Sequence, residues 1–237
     1  MSLKVDLSQL NENGFSILQN VLSEETIADL VSQTDELSHF LSKEEKNSST
    51  YGIRDLLNLS PAIRAFSKSQ TVLKIARSIL GKDARVVRAI FFNKTAEANW
   101  KVPWHQDLTI AVKERIDRED FSAWTRKANI WHVQPPISIL EDMITLRFHL
   151  DDADKDTGAL RIIANSHSNG RLNAEMIKDI RMANETVVCR VKSGDCLVIR
   201  PLLLHSSSAC VNPRQRRVIH FEFSAQELPD PMEWHES

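Results

Sequence analysis

Residues 193–223 read SGDCLVIRPLLLHSSSACVNPRQRRVIHFEF and contain three strand-like runs, DCLVIR, LLLHSSS and RRVIHFEF. Each run is short and rich in aliphatic or β-branched residues, as in strands that pack on a core. Similar runs occur from position 84 onward, namely ARVVRAIFFNK, WHQDLTIAV, MITLRFHL, GALRIIA and TVVCRVK. Eight strands in one domain predict a mainly β fold, a sandwich or jelly roll.

The residues before position 84 have a helical periodicity. After an extended piece, GFSILQNVL, Ser23 can cap a helix with one apolar face. A second helix is predicted to open at Ser60-Pro61, and a third to run through residues 72–80 and stop at Gly81. The apolar residues of the first helix recur at intervals of three and four: Ile27, Leu30, Val31, Leu37, Phe40 and Leu41.

These patterns predict a single domain over residues 1–237 with helices flanking a β core. The expected parts are a helical N-terminal layer over about 1–82, a jelly-roll core over about 84–224 and a C-terminal tail over 225–237.

The composition is that of an ordinary globular chain. Its 237 residues are 42% hydrophobic and 26% charged, which suffices to bury a sizeable core. Because the net charge is -2, we expect neither nucleic acid nor a membrane surface as a partner. No apolar run approaches the roughly 20 residues of a membrane span, and the first residues lack the order of a signal peptide, so a cytoplasmic protein is expected. The oligomeric state is not readable from the sequence.

The stretch VPWHQDL, residues 102–108, sets a histidine and a carboxylate two residues apart. Residues at this spacing on a strand share one face, so the pair could bind a metal. About one such pair is expected by chance, and the chain has three: His105/Asp107, His149/Asp151 and His220/Glu222.

The expected positions of the three pairs in the fold indicate which of them could bind a metal. In a double-stranded β-helix the second and seventh strands are adjacent, which would bring His205, at the end of LLLH, close to His105 and Asp107. The pair at 149 would lie in the opposite sheet, with Asp151 in a solvated turn or a backbone cap. The pair at 220 is expected to be a cross-strand or surface pair.

Two imidazoles and one carboxylate form the facial triad of non-haem Fe(II) oxygenases, which leaves three coordination positions open. A chelating α-keto acid would need a cation for its far carboxylate. Arg216 is a candidate because its planar guanidinium can form two parallel hydrogen bonds with a carboxylate. Ser207 could add a hydroxyl to that carboxylate, since it shares a strand face with His205. The alternative is a solvated basic turn, which we expect for Arg214 and Arg217.

Four segments in order resemble the phytanoyl-CoA dioxygenase family of Fe(II)- and 2-oxoglutarate-dependent oxygenases. They are GFSILQNVLSEETIADL, FFNKTAEANWKVPWHQDL, LRFHLDDADKDTGALRIIANSHSNGRL and SGDCLVIRPLLLHSSSACVNPRQRRVIHFEF. The resemblance implies hydroxylation of a small molecule by Fe(II), 2-oxoglutarate and O2, with release of succinate and CO2 and with ascorbate supportive in vitro. It implies that His105, Asp107 and His205 bind iron and that Arg216 and Ser207 bind 2-oxoglutarate, with Arg147 lining the cosubstrate.

The chain departs from the family where a Pro-Gly-Ser-His turn is replaced by Ala164-Asn165-Ser166-His167. Asparagine tolerates a left-handed conformation, so the turn is expected to survive. Related halogenases have Gly or Ala at the position of Asp107, so the retained acid indicates hydroxylation rather than halogenation. The acyl-CoA substrate does not carry over, because no basic cluster suited to a nucleotide diphosphate is evident.

Residues 108–142 are too long for a hairpin and are expected to form a lid over the substrate. Trp124, Trp131 and His132 are its candidate substrate contacts, and packing among themselves is the alternative.

Two other functions stay open. The first is a jelly-roll binding or sensing module that holds a metal without turnover. The second is a cupin-type enzyme that uses the same three ligands without 2-oxoglutarate. Arg216 argues against both, and the substrate itself is not readable from the sequence.

Overall fold

The computed structural model describes residues 5–44, 52–96, 98–211 and 215–236, without the side chains of 42–44. The helices in these residues are α1 (Leu7–Asn13), α2 (Glu24–Glu44), α3 (Leu56–Leu59), α4 (Pro61–Ser67), α5 (Gln70–Leu80), α6 (Ile137–Glu141) and α7 (Ala174–Ala183), with a 3-10 turn at Ser166–Asn169. The strands are β1 (Phe15–Leu18), β2 (Ile53–Arg54), β3 (Arg85–Lys94), β4 (Val102–His105), β5 (Ile110–Val112), β6 (Ser122–Lys127), β7 (Ile130–Gln134), β8 (Met143–His149), β9 (Leu160–Ile162), β10 (Val187–Val188), β11 (Cys196–Ile199), β12 (His205–Ser207) and β13 (Arg216–Ser224).

Two antiparallel sheets form the core. The major sheet has the order β1-β11-β8-β13-β3-β2, and the minor sheet has the order β10-β9-β12-β4. Non-consecutive strands are neighbours throughout, as in a jelly roll. The predicted mainly β fold with a jelly-roll core is therefore confirmed. The predicted second and seventh strands, here β4 and β12, are adjacent, and β8 lies in the opposite sheet, as expected.

The two faces of the major sheet have different neighbours because successive side chains of a strand alternate. On β13, Ile219, Phe221 and Phe223 are buried with the helices, where Phe66 of α4 lies with its ring centroid 5.8 Å from that of Phe221. The alternate residues of β13 point between the two sheets, and Arg216 is the first of them. One hydrophobic cluster thus joins the helices to the major sheet.

The predicted helix ends are confirmed where they were specified. The Ser23 hydroxyl accepts a hydrogen bond from the Thr26 amide at 3.2 Å. The Ser60 hydroxyl accepts one from the Ile63 amide, with proline at the first turn of α4. α5 ends at Gly81, which has φ 91°. Phe40 was wrongly assigned to the apolar face of α2, since it is 57% exposed.

Residues 108–142, which were expected to form a lid over the substrate, contain regular secondary structure, and their role as a lid stays a prediction. β5, β7 and β6 make a third, three-stranded sheet, and α6 follows. The C-terminal residues stabilise this sheet, because Trp234 pairs with Val112 and is 2% exposed. The run WHQDLTIAV is consequently divided between two sheets, and TVVCRVK forms only the short β10.

Within the described residues, no helix has both the length and the hydropathy that crossing a bilayer requires.

Candidate metal centre and its cavity

The structure brings His105, Asp107 and His205 together. His105 ends β4 and lies directly opposite His205, the first residue of β12, with ring centroids 4.2 Å apart. Asp107 follows two residues after His105, and its amide donates to the Pro201 carbonyl at 2.9 Å. One ligand atom from each of the three side chains lies within 4.8 Å of the others. This spacing suits three ligands of one ion.

Both imidazoles are oriented by the backbone two residues earlier. Nδ1 of His105 lies 2.9 Å from the Pro103 carbonyl, and Nδ1 of His205 lies 2.8 Å from the Leu203 carbonyl. Because a carbonyl only accepts, each Nδ1 carries the hydrogen and donates it. Each Nε2 therefore presents its lone pair, at 3.8 Å (His105) and 3.7 Å (His205) from the Asp107 carboxylate.

The electrostatics favour the protonation states that a divalent metal needs. Burial lowers the pKa of His205 to about 4, with Asp107 opposing the shift, so this imidazole is neutral at pH 7. Burial alone would raise the pKa of Asp107, but the His205 and His105 side chains outweigh it and lower the pKa to about 2. A neutral His205 nitrogen and an ionised Asp107 carboxylate are metal ligands without further proton release.

A cavity of about 510 Å³ adjoins the triad between the two sheets. Side chains from the major sheet form one wall: Arg54, Arg88, Ile90, Phe92, Lys94, Arg147, Arg216, His220 and Glu222. Its described lining carries six lysine or arginine side chains against two carboxylates, so the cavity is strongly positive.

Arg216 and Ser207 line this cavity from opposite sheets. Arg216 is 3% exposed, and on β3 its register partner is Lys94, which is 0% exposed. The Lys94 ammonium donates to the Ser207 hydroxyl at 2.8 Å, and that hydroxyl donates to the Gly158 carbonyl at 2.8 Å. Arg216 lies on β13, which follows β12 along the chain and pairs with β3 and β8 in the opposite sheet.

Lys94 was missed in the sequence because a lysine at the end of a strand is usually solvated. The alternation of Arg88, Ile90 and Phe92 with Lys94 is the signal that could have placed it on the cavity face. Burial, and then the neighbouring Arg216 charge, lower the pKa of Lys94 to about 8. Among the described residues, no carboxylate forms an ion pair with Lys94 or Arg216.

Arg147 lies on β8, 7% exposed, with its guanidinium 5.3 Å from the centre of the Phe92 ring. Its Nη1 donates to Nδ1 of His220 at 2.8 Å. His220 in turn donates through Nε2 to Glu222 at 3.2 Å. Arg147 is therefore held in place by the wall of the cavity.

The pair His220/Glu222 is not a surface pair. Both side chains are buried and line the cavity, and Glu222 accepts from its cross-strand partner Arg88 at 3.1 Å. Of the two alternatives predicted for this pair, the cross-strand pair is therefore the one observed.

The pair His149/Asp151 forms no metal site in the described structure. Asp151 accepts from the Arg217 amide at 2.8 Å and from its guanidinium at 2.9 and 2.8 Å. Burial lowers the pKa of His149 well below its ordinary value. Arg217 is thus an ion-paired residue, contrary to the prediction of a solvated turn, and Arg214 lies outside the described residues.

The proposed lid contacts lie away from the cavity lining. Trp124 and Trp131 pack edge to face at 6.2 Å beside the hydrophobic cluster of the third sheet, and His132 is 0% exposed. Lys127 and Gln134 of the same segment do line the cavity. Sequence reasoning missed these two because polar residues in a long segment give no positional signal.

The turn at 164–167 is retained as expected, since Asn165 has φ 63°, in the left-handed region.

The family model for phytanoyl-CoA dioxygenase (PhyH) matches residues 10–218. Phytanoyl-CoA dioxygenase 1 of rice (Oryza sativa subsp. japonica) is 27% identical over 175 residues, which are 69% of this chain and 53% of that protein. The chain thus spans about half the length of this relative.

Solved structures with the same fold include three bacterial proteins. AviO1 from Streptomyces viridochromogenes Tue57 has a TM-score of 0.71 at 19% identity, covering 97% of this chain and 98% of its own. EctD from S. alaskensis with 2-oxoglutarate and 5-hydroxyectoine has a TM-score of 0.71 at 15% identity, covering 92% and 74%. HygX from Streptomyces hygroscopicus with nickel and 2-oxoglutarate has a TM-score of 0.66 at 16% identity, covering 92% and 85%.

Proposed function

Since the chain belongs to the phytanoyl-CoA dioxygenase family, we propose that it is an Fe(II)- and 2-oxoglutarate-dependent dioxygenase that hydroxylates a small molecule and releases succinate and CO2. One observation carries the proposal. The same cavity holds two imidazoles and a carboxylate at metal-binding spacing and, at one end, two buried cations without a carboxylate partner among the described residues. The bound 2-oxoglutarate of EctD and HygX supports it.

His105, Asp107 and His205 would hold the metal. Their donor set, with two imidazole nitrogens and one carboxylate, fits Fe(II) and leaves coordination positions open. When bound, the iron supplies the redox chemistry that couples decarboxylation of 2-oxoglutarate to oxygen insertion.

Arg216 and Lys94 would bind the far carboxylate of 2-oxoglutarate, with Ser207 beside them. The Lys94 ammonium and the Ser207 hydroxyl already form a hydrogen bond, so their positions are set before the carboxylate arrives. Arg147 would line the cosubstrate, held by His220. The surrounding sheets exclude water from this end, which strengthens each charge-assisted contact.

Two other functions are weaker fits. A cupin-type enzyme that binds no keto acid has no use for Arg216 and Lys94 in a buried position. A sensing module would bind the same molecules without turnover, so only a rate measurement separates it from an enzyme.

The test is succinate formation from 2-oxoglutarate in air, with Fe(II) and ascorbate and with no other substrate added. We expect slow turnover that stops when Fe(II) is omitted or argon replaces air. Calorimetry on the same sample is the second measurement. Binding of 2-oxoglutarate without any turnover would favour the sensing module, and absence of both would overturn the proposal.

Lys94 provides a pH-dependent prediction. Its pKa of about 8 in the free protein means that the ammonium is charged below that pH and neutral above it. A bound carboxylate favours the charged form, so the affinity for 2-oxoglutarate is expected to fall as the pH rises above about 8. Lys94→Met should weaken binding at pH 7 by about tenfold and remove most of this pH dependence.

The measurement is calorimetry with Mn(II)-loaded protein under argon between pH 6.5 and 9. The charged or titratable groups around Lys94 are Arg216, Arg147 and the Cys210 thiol. Cys210→Ser is therefore the control and should keep the pH dependence. An unaltered pH profile in Lys94→Met would contradict the role given to the ammonium.

A further inference from the structure

A second group of cations lines the cavity away from Arg216. It consists of Arg54, Arg88 and Lys127, called here the outer cationic cluster. Arg54 lies opposite Ile90 in the register of β2 and β3, and Arg88 is two residues from Ile90 on the same face. Lys127 ends β6 and comes from the third sheet, so two separate parts of the fold bring cations to this region.

Only one member of the outer cationic cluster has an acidic partner in the described structure. Arg88 donates to Glu222 at 3.1 Å, and its side chain is 13% exposed. Among the described residues, the buried Nε of Arg54 has no hydrogen-bond partner, and neither Arg54 nor Lys127 forms an ion pair with a carboxylate. An unpaired buried guanidinium nitrogen is costly unless a ligand satisfies it.

The three cations also act on one another. Burial lowers the pKa of Arg54, and the Arg88 charge adds to the shift. Partial burial and then the charges of Arg54 and Arg88 lower the pKa of Lys127, with Asp107 opposing them. A region of mutually repelling cations is stabilised by an anion.

The outer cationic cluster is separate from the cosubstrate end. On β3, Arg88 precedes Lys94 by six residues, about 20 Å of strand. Asp107 of the triad lines the same cavity as Lys127 and Arg88. The charges of Fe(II) and 2-oxoglutarate would cancel, which leaves the six lining cations in excess over the two carboxylates.

We propose that the substrate is an anion whose carboxylate or phosphate oxygens are bound by Arg54 and Lys127, with Arg88 held beside them by Glu222. This assignment rests on the proposed function, since it places the substrate on the side of the triad away from the cosubstrate carboxylate. A neutral substrate would leave Arg54 and Lys127 without an anionic partner among the described residues. Guanidinium and ammonium groups are the side chains that bind both kinds of oxyanion.

The test uses Zn(II)-loaded protein saturated with 2-oxoglutarate, so that a probe anion cannot occupy the Arg216 end. Inorganic phosphate and acetate are titrated separately to tens of millimolar, and backbone amide resonances are followed by nuclear magnetic resonance. Lys127→Gln is the main variant because its side chain is exposed and its loss should not affect folding. Arg54→Gln is the second variant.

Arg126→Gln is the matched control. It removes one positive charge from the adjacent residue of β6, whose guanidinium lies 5.3 Å from the centre of the Trp131 ring and outside the cavity lining. We expect at least one probe to shift resonances around residues 54, 88 and 127, with affinity about tenfold weaker in Lys127→Gln and Arg54→Gln. Arg126→Gln should change the affinity less than twofold.

The probe that binds more tightly identifies the anionic group as carboxylate or phosphate. Absence of binding by both probes, or equal weakening in all three variants, would overturn the proposal. The preceding 2-oxoglutarate titration tests the proposed function separately. A sample that binds phosphate through Arg54 and Lys127 but no 2-oxoglutarate would retain the anion site and refute the oxygenase.

Discussion

His105→Ala is expected to lose Fe(II) binding and, with it, all succinate formation from 2-oxoglutarate. The variant removes one of three protein ligands, and the remaining His205 and Asp107 cannot complete a facial triad. Loss of a residue that only orients a metal ligand already lowers metal affinity by up to about a hundredfold. Loss of a ligand itself should therefore lower the affinity by more than that. The His105 side chain is 36% exposed, so the fold should tolerate its removal.

The measurement is anaerobic Fe(II) titration followed by the succinate assay, with circular dichroism to check folding. His167→Ala is the control, because His167 lies outside the cavity lining and contacts the Asn11 carbonyl at 3.2 Å. That variant should bind one Fe(II) and turn over as the wild type does. If His105→Ala kept wild-type iron affinity, the metal would have to be elsewhere.

The second large effect is expected in Arg216→Ala. This variant should bind metal normally and bind 2-oxoglutarate between about a hundred and several thousand times more weakly. Removing one partner of a buried ion pair costs about 3 to 5 kcal/mol, because the other charge is left desolvated. Arg216 is 3% exposed, so water cannot replace the guanidinium without rearrangement.

Arg217→Ala is the matched control for Arg216→Ala. It removes the next guanidinium along β13, which pairs with Asp151 and Asp35 on the other face of the strand. Its 2-oxoglutarate affinity should be that of the wild type. The 2-oxoglutarate affinity of Arg216→Lys should lie between those of the wild type and Arg216→Ala, since lysine keeps the positive charge and loses the two parallel hydrogen bonds of the guanidinium. If Arg216→Ala bound 2-oxoglutarate with wild-type affinity, the cosubstrate role of Arg216 would be refuted. The remaining hypotheses would then be a metal-binding module and an enzyme that does not use 2-oxoglutarate.

The local patterns predicted the elements that depend on neighbouring residues. Ser60 before Pro61 and Gly81 after an apolar helix marked helix ends correctly, because capping is decided within one turn. The buried strands were found because residues such as Phe91 and Phe221 occur in continuous apolar runs. Residues 108–142 were predicted poorly, since their sheet depends on contacts with Trp234 more than 90 residues away.

The sequence by itself determined the jelly-roll core and the candidate metal ligands, because Asp107 follows two residues after His105 at the end of a strand and strand order places His205 beside them. Only the tertiary structure decided which cations share their cavity. Lys94, Arg54 and Lys127 come from three strands, and neither alternation nor composition reveals that all three point into one space. A shared cavity and the lack of acidic partners among the described residues turn these side chains into candidate anion-binding groups, and both are properties of the folded chain.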